Sequence, residues 1–373
     1  MTYNSKETKS KELFLLFSKN GNLTRWKNSG YLQREEKYYQ NLNKLFGKIT
    51  WITFGGEEES NLIETLNNID VLNNSSNLSI NESIENIATK LKQSIHVLKT
   101  NQLSSAYIAY KIHKITNIPY IIRCGNVRNY WIHRKSFIEK IINWLQLKLS
   151  ISAARALIVP TQQEANYAKR LFFLNSSKIK IIPNFVDTEL FKPSNPVKTN
   201  KICFVGSFKP AKNLTNLVLS LKNLNNVELR LIGDGQEKQK LKTLAKQIGV
   251  KIEFIGVQPN EHLPKLLNES QCFVFPSLYE GHPKALIEAM ACGLPVITTP
   301  VYGIKNIIQH EFNGYICNNI TPESIRVGIT KVMNDAKLRD FMSKNARQTI
   351  LNEYSLEVVL EKEIQLYKDL KLS

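Results

Sequence analysis

Two glutamates, Glu280 and Glu288, stand either side of a turn and a helix start in the run Tyr-Glu-Gly-His-Pro-Lys-Ala-Leu-Ile-Glu-Ala-Met-Ala-Cys-Gly-Leu-Pro-Val. Gly281 and Pro283 end a strand expected over 272–275 and its loop. Pro283 suits the first position of a helix over 284–292, which Gly293 stops. The amides of that first turn, around Lys284 and Ala285, would face outward at the carboxyl end of a strand, where backbone N–H groups and the helix dipole attract phosphate. Glu280 lies before the turn and Glu288 just inside the helix, so the two acids bracket the anion site: one can hold the hydroxyls of a sugar, and the other can accept hydrogen bonds from a ribose. The pattern is that of a sugar-nucleotide site.

Two other readings compete. In the plainer one Glu280 is a solvated loop acid and Glu288 an exposed helix residue. In the other they are a hydrolytic carboxylate pair. Eight residues at ~1.5 Å rise span roughly 12 Å, beyond the ~5–5.5 Å of a retaining pair and the ~6.5–9.5 Å of an inverting one. A folded loop shortens that span, so the spacing disfavours hydrolysis without forbidding it.

A second group of residues points to the same anion. A strand over 201–205 runs into Gly206-Ser-Phe-Lys-Pro-Ala-Lys-Asn213. Lys209 and Lys212 in this loop could neutralise a diphosphate and stabilise the charge that grows on it as a sugar departs; the alternative is two solvated loop charges. Gly233-Asp-Gly235 follows a strand and precedes a helix, but Lys238 stands where a dinucleotide fingerprint needs a third glycine, so a nicotinamide or flavin reading is weak. Lys99-Thr-Asn101-Gln and Ile122-Arg123-Cys124 close earlier strands and point at a cleft between domains. Arg123 is then a ligand for an acidic acceptor or a phosphate, or else half of an ion pair.

The 280–288 segment resembles the Glu-x7-Glu signature of the retaining glycosyltransferases of family 4. The likeness is strongest over 178–354, where Lys-Ile-Ile-Pro-Asn-Phe-Val-Asp, Phe-Val-Gly-Ser-Phe-Lys-Pro-Ala-Lys-Asn, Leu-Ile-Gly-Asp-Gly and Phe-Ile-Gly-Val recur in the family's order. The resemblance implies an α/β protein of GT-B fold, two facing Rossmann-like domains with parallel sheets and an interdomain cleft. It implies transfer of a hexose from a nucleotide-diphosphate sugar to a saccharide or lipid-linked acceptor with retention, in cell-envelope polysaccharide or glycolipid synthesis.

By the same resemblance Glu280 and Lys212 are catalytic, and Ser207, Lys209, Gly233, Val257, Gly281, His282, Lys284, Ala285 and Glu288 bind the donor. Gly30, at the end of a long first loop, joins Asn101 and Arg123 as an acceptor or phosphate loop. The leaving phosphate helps deprotonate the incoming hydroxyl, so no protein nucleophile, metal or organic cofactor is expected. Two departures stand out: Ser207 occupies the place of the family's usual Arg, with Lys209 as a substitute cation, and Cys124 falls where many relatives carry His. A noncatalytic sugar-nucleotide binder is therefore the alternative function.

Length and pattern supply the frame. A chain of 373 residues exceeds one ordinary core, so we expect an acceptor-binding domain over 1–188, a nucleotide-sugar domain over 189–355 and a last helix over 356–373 crossing back onto the first. Short apolar runs alternating with helical patterns predict parallel sheets with right-handed crossovers. The Asn- and Ser-rich stretch 70–81 reads as a long surface loop or a lid. Thr161-Gln-Gln-Glu164 is a capping box.

No apolar run nears the ~18 residues of a membrane span, and the polar start lacks a signal-peptide core. We expect a cytoplasmic protein, soluble or peripheral at the inner face of the membrane. Five cysteines without Cys-x-x-Cys spacing read as packed free thiols rather than ligands. The net charge of +18 suits polyanions, anionic lipid or nucleotide substrates alike. Basic stripes interleaved with aromatics are missing, which argues against nucleic acid. Six bases and one acid over 123–149, with apolar residues on one helical face, predict either a basic amphipathic helix on anionic lipid or a core helix with a solvated outer side.

Overall fold

An apolar run without polar alternation makes a strand covered on both faces. β1 (Glu12–Leu16) is such a run, with Leu13, Leu15 and Leu16 wholly buried. The structure, a computed structural model, describes residues 11–19, 21–73, 79–91, 96–127, 137–194, 200–224 and 227–372. Contacts divide the chain into two compact units, Met1–Ile182 with Leu360–Ser373, and Pro183–Val359.

The first unit is built on a seven-stranded parallel sheet. To β1 it adds β2 (Lys48–Thr53), β3 (Asp70–Asn73), β4 (His96–Thr100), β5 (Tyr120–Arg123), β6 (Ala156–Val159) and β7 (Ile179–Ile181), in the order β3-β2-β1-β4-β5-β6-β7. Leu15 faces Trp51 on one side and Lys99 on the other. The second unit holds β8 (Lys201–Val205), β9 (Glu228–Ile232), β10 (Ile252–Gly256), β11 (Cys272–Phe275), β12 (Val296–Thr298) and β13 (Tyr315–Ile316), in the order β10-β9-β8-β11-β12-β13, again parallel throughout. Its core includes Phe204, Phe273 and Phe275, the last stacked on the other two. These are two Rossmann-like units, as expected.

In both sheets the chain steps outward, then crosses back over its first strand. The order reverses between β1 and β4 in the first unit and between β8 and β11 in the second. Loops leaving neighbouring strands in opposite directions open a crevice at such a point, beyond the strands' carboxyl ends.

Some local expectations are corrected. Asp70–Asn73, read as the start of a loop, is the edge strand β3 paired with β2; residues 74–78 of that stretch lie outside the described residues. Thr161 caps its helix by accepting from the Glu164 amide at 3.2 Å, but Glu164 Oε2 takes the Val127 amide at 2.7 Å, so the carboxylate ties this helix to the end of β5. All five cysteines are free and buried.

Candidate functional site

The loops that flank the reversal point of the second unit are stitched together by backbone bonds. After β8, the Phe208 amide donates to the Asp234 carbonyl at 2.8 Å, tying this loop to the one after β9. The Leu278 amide donates to Ala211 at 2.8 Å, tying it to the loop after β11, and Thr299 Oγ1 donates to the Ser277 carbonyl at 2.6 Å, adding the end of β12. Gly233 has φ of 135°, and a Cβ there would lie 2.0 Å from the Gly206 carbonyl oxygen. Only a glycine lets the loops after β8 and β9 approach this closely.

Lys212 and Glu280 meet across the reversal point. Lys212 closes a 3₁₀ turn, Pro210–Lys212, and Asn213 in the left-handed conformation ends it. The ammonium then sits 2.5 Å from Glu280 Oε1 and 5.0 Å from the centre of the Phe275 ring. Both side chains are mostly covered, at 21% and 12% exposure. Glu280 is thus no solvated loop acid. Gly303, at φ 45°, presses against it: a Cβ there would lie 2.4 Å from the Glu280 carbonyl oxygen and 2.1 Å from that of Gly281.

The helix Lys284–Ala291 starts directly after this pair. Pro283, its cap, makes no side-chain hydrogen bond to the first turn, and Lys284 and Ala285 remain half-buried rather than sealed. Glu288 is 5% exposed, which rules out the exposed-helix reading, and Asn260 Nδ2 approaches its Oε1 at 3.5 Å. Asn260 follows β10 in the 3₁₀ turn Asn260–His262 and is itself buried. Glu288 therefore connects the helix to the β10 loop.

The remaining donor-side expectations fall on the same loops in different settings. Ser207 is half-buried and Lys209 exposed, both between Gly206 and Lys212. Val257 follows β10 directly and is 55% exposed, next to Gly256, whose carbonyl accepts from the Gly233 amide at 2.8 Å. Gly281 is buried under Gly303. His282 is buried, its ring centre 5.1 Å from that of Tyr354 and its carbonyl held by Asn184 Nδ2 at 2.7 Å. That placement braces the turn; it does not present the imidazole to solvent.

Gly30, Asn101 and Arg123 belong to the other unit. Gly30, at φ 71°, ends the helix Leu23–Asn28: its amide donates to Lys27 and that of Tyr31 to Trp26, a Schellman closure that accounts for the glycine locally. The glycine in the loop after β1 is Gly21, its amide bonded to the Ser18 carbonyl. The amide that opens the following helix, Leu23 N, is taken by Glu59 Oε1 at 2.5 Å, so a buried side-chain carboxylate already occupies that helix start. Asn101 does sit at the reversal point of its sheet, its amide bonded to the Leu16 carbonyl at 3.0 Å.

Arg123 takes the ion-pair alternative, with Nη1 3.7 Å from Glu363. Lys99, expected to point at a cleft, is instead fully buried and bonded to the same carboxylate. Glu363 comes from the helix Leu356–Asp369 and also accepts from Tyr38 and Tyr367. Burial would raise its pKa, but the charges of Lys99 and Arg123 and the hydrogen bonds from Lys99 and Tyr38 outweigh that and hold it below the usual carboxylate range. Cys124 is buried, and burial pushes its thiol up to about 12, so it neither ionises nor replaces a histidine as a proton carrier near neutral pH.

Sequence reasoning missed Asn260, Gly303, Glu59 and Glu363. Each acts through a partner distant in the chain, and none lies in a motif. Among the described residues, no three His, Cys, Asp or Glu side chains gather as a metal-holding group, and no helix is long and apolar enough to cross a membrane.

Comparison with known proteins fits this geometry. A family model described as glycosyl transferases group 1 matches residues 186–349, and one described as glycosyltransferase family 4 matches residues 49–190. An uncharacterized glycosyltransferase of Methanocaldococcus jannaschii is 31% identical over 172 residues, 45% of this chain and 44% of that protein, so the match spans less than half of either. The UDP-Gal:alpha-D-GlcNAc-diphosphoundecaprenol alpha-1,3-galactosyltransferase of Escherichia coli is 24% identical over 75% of this chain and 76% of its own length. Among solved structures, Anabaena HepE in complex with UDP superposes with a TM-score of 0.80 at 16% identity, covering 96% of this chain and 100% of that one. Sucrose-phosphate synthase from Thermosynechococcus elongatus gives 0.79 at 18% identity, covering 97% and 99%. The chain has the GT-B fold.

Proposed function

We propose that this chain, which belongs to the group 1 glycosyltransferases, moves a hexose from a nucleotide-diphosphate sugar to a saccharide or lipid-linked acceptor with retention of configuration. The observation that carries this reading is the Lys212–Glu280 pair at the reversal point of the second sheet, directly before the helix Lys284–Ala291.

In this reading the diphosphate lies against the first turn at Lys284 and Ala285, and Lys212 neutralises the charge that develops as the glycosidic bond breaks. Glu280 holds the ammonium in place beforehand and gives its other oxygen to sugar hydroxyls. Glu288 accepts from the ribose, steadied by Asn260. Gly233 and Val257 bring backbone close to the base, and Lys209 supplies the second positive charge that Ser207 does not. The departing phosphate takes the proton of the acceptor hydroxyl, so the chemistry asks for neither a metal nor a protein nucleophile. The UDP-Gal-dependent relative of Escherichia coli and the UDP complex of Anabaena HepE make uridine sugars the first donors to try, and envelope polysaccharide or glycolipid assembly is the setting we favour.

The test is to incubate purified protein with a panel of nucleotide sugars, with and without candidate acceptors, and to measure released nucleotide and the anomeric configuration of the product. Acceptor-dependent release with retention supports the proposal. Tight binding without turnover for every pair would favour the noncatalytic binder suggested by Ser207 and the buried Cys124.

A further inference from the structure

The helix Phe137–Ala153 turns its apolar stripe outward. Ile138 is 68% exposed, Ile141 44%, Ile142 49%, Leu145 50% and Leu149 53%. At 3.6 residues per turn these five fall within an arc of about 100°, and no charged residue interrupts them. The inward side is made by Leu147, Ser150, Ile151 and Ala154. This is the reverse of a core helix with a polar outer face, in which the wider apolar stripe is the one that packs.

Phe173 extends the patch. It is 77% exposed and ends the helix Gln162–Phe172 in the left-handed conformation, φ 51°, a position that glycine or asparagine fills at lower cost. Its ring centre lies 6.4 Å from that of Trp144, and the Lys148 ammonium lies 5.5 Å from it. A contiguous exposed apolar patch of this kind marks an interaction surface.

The charge around it selects the occupant. Residues 137–182 carry seven lysines and arginines against two acids. One of those acids, Glu164, is buried on the Val127 amide, leaving Glu139 exposed. Lys169 and Arg170 are exposed just before Phe173, and Lys148 lies at the edge of the stripe beside the Phe173 ring. An apolar strip with cationic flanks matches an anionic bilayer, where aliphatic side chains enter the acyl boundary and lysines and arginines meet phosphates.

We propose that this face of the first unit docks on an anionic lipid surface, with Ile138, Ile141, Ile142, Leu145, Leu149 and Phe173 inserted in the interface. It rests on the patch alone and stands whether or not the chain transfers hexose.

Full-length protein is mixed with sucrose-loaded vesicles of phosphatidylglycerol and phosphatidylcholine, or of phosphatidylcholine alone, and sedimented. Binding is expected on the anionic vesicles and is weakened by salt. Ile141→Glu with Leu145→Glu should lower the partition coefficient at least about tenfold, and Lys169→Ala with Arg170→Ala should remove most of the preference for anionic lipid. Thermal midpoints and nucleotide binding, measured alongside, should match the parent's, which separates lost docking from lost folding. Parent protein that stays in the supernatant with both vesicle types overturns the proposal, as does a glutamate pair that binds like the parent. A parent that ignores vesicles but forms a dimer broken by the glutamate pair would assign the face to a second copy instead.

Discussion

Lys212 Nζ and Glu280 Oε1 stand 2.5 Å apart across the two loops that leave β8 and β11. The pair holds a cation, ready and largely desolvated, at the point where the sheet order reverses. In the proposed reading a diphosphate arriving there would share the ammonium with Glu280 and find it already oriented, the preorganisation that makes charge stabilisation effective.

Lys212→Ala should lower turnover by roughly two to three orders of magnitude while changing KM for the donor little. Steady-state kinetics with saturating acceptor separate the two effects. A variant that keeps its turnover would remove Lys212 from the reaction.

Glu288→Gln keeps the volume of a buried side chain but removes its charge and one acceptor. Nucleotide affinity should fall by about tenfold, equivalent to roughly 1.4 kcal/mol, with a smaller effect on turnover. Isothermal titration with the nucleoside diphosphate of the active donor gives the number directly.

Gly233→Ala should destabilise the second unit on the order of 1–3 kcal/mol, because the added carbon would sit 2.0 Å from the Gly206 carbonyl oxygen at a φ that suits glycine. Denaturant unfolding measures it. Gly249→Ala, at φ 71° where a Cβ meets nothing within 4 Å, gives for comparison the cost of a left-handed backbone without a clash.

Glu363→Gln should cost about 3–5 kcal/mol, since it leaves Lys99 buried without its counter-charge. The joint change Lys99→Met with Glu363→Gln should recover part of that loss, since it removes the buried ammonium while the amide oxygen still accepts from a tyrosine. The folded pKa of Glu363 lies below its unfolded value, so its contribution is complete above the unfolded carboxylate range near ~4.3 and is lost as pH falls through the folded value. The gap in thermal midpoint between parent and Glu363→Gln should therefore be widest near neutrality and narrow below about pH 5. A gap that stays constant to low pH would mean that ionisation of Glu363 contributes nothing to stability.

Strands covered on both faces were legible because uninterrupted apolar runs such as β1 and β6 need no partner to be recognised. β3 was not, since its Asp and Asn ends merge with an Asn- and Ser-rich run, and its strand character comes from pairing with β2. The Glu280 and Lys212 pairing was readable as two motifs, though not as a direct contact between them. Glu363 was illegible because its partners Tyr38, Lys99 and Arg123 lie hundreds of residues away. Gly30 drew attention as a glycine before a helix, whereas its φ belongs to the end of the preceding one. The outward stripe on Phe137–Ala153 shows the limit of periodicity: the pattern predicts an apolar face, and packing decides which way it turns.

Hydrogen–deuterium exchange with and without saturating donor tests the central claim most directly, because it reports where the diphosphate settles. Exchange should slow most within 206–213 and 277–286, the loops after β8 and β11 and the first turn of Lys284–Ala291. A donor that binds and turns over while leaving both segments unchanged would contradict the account.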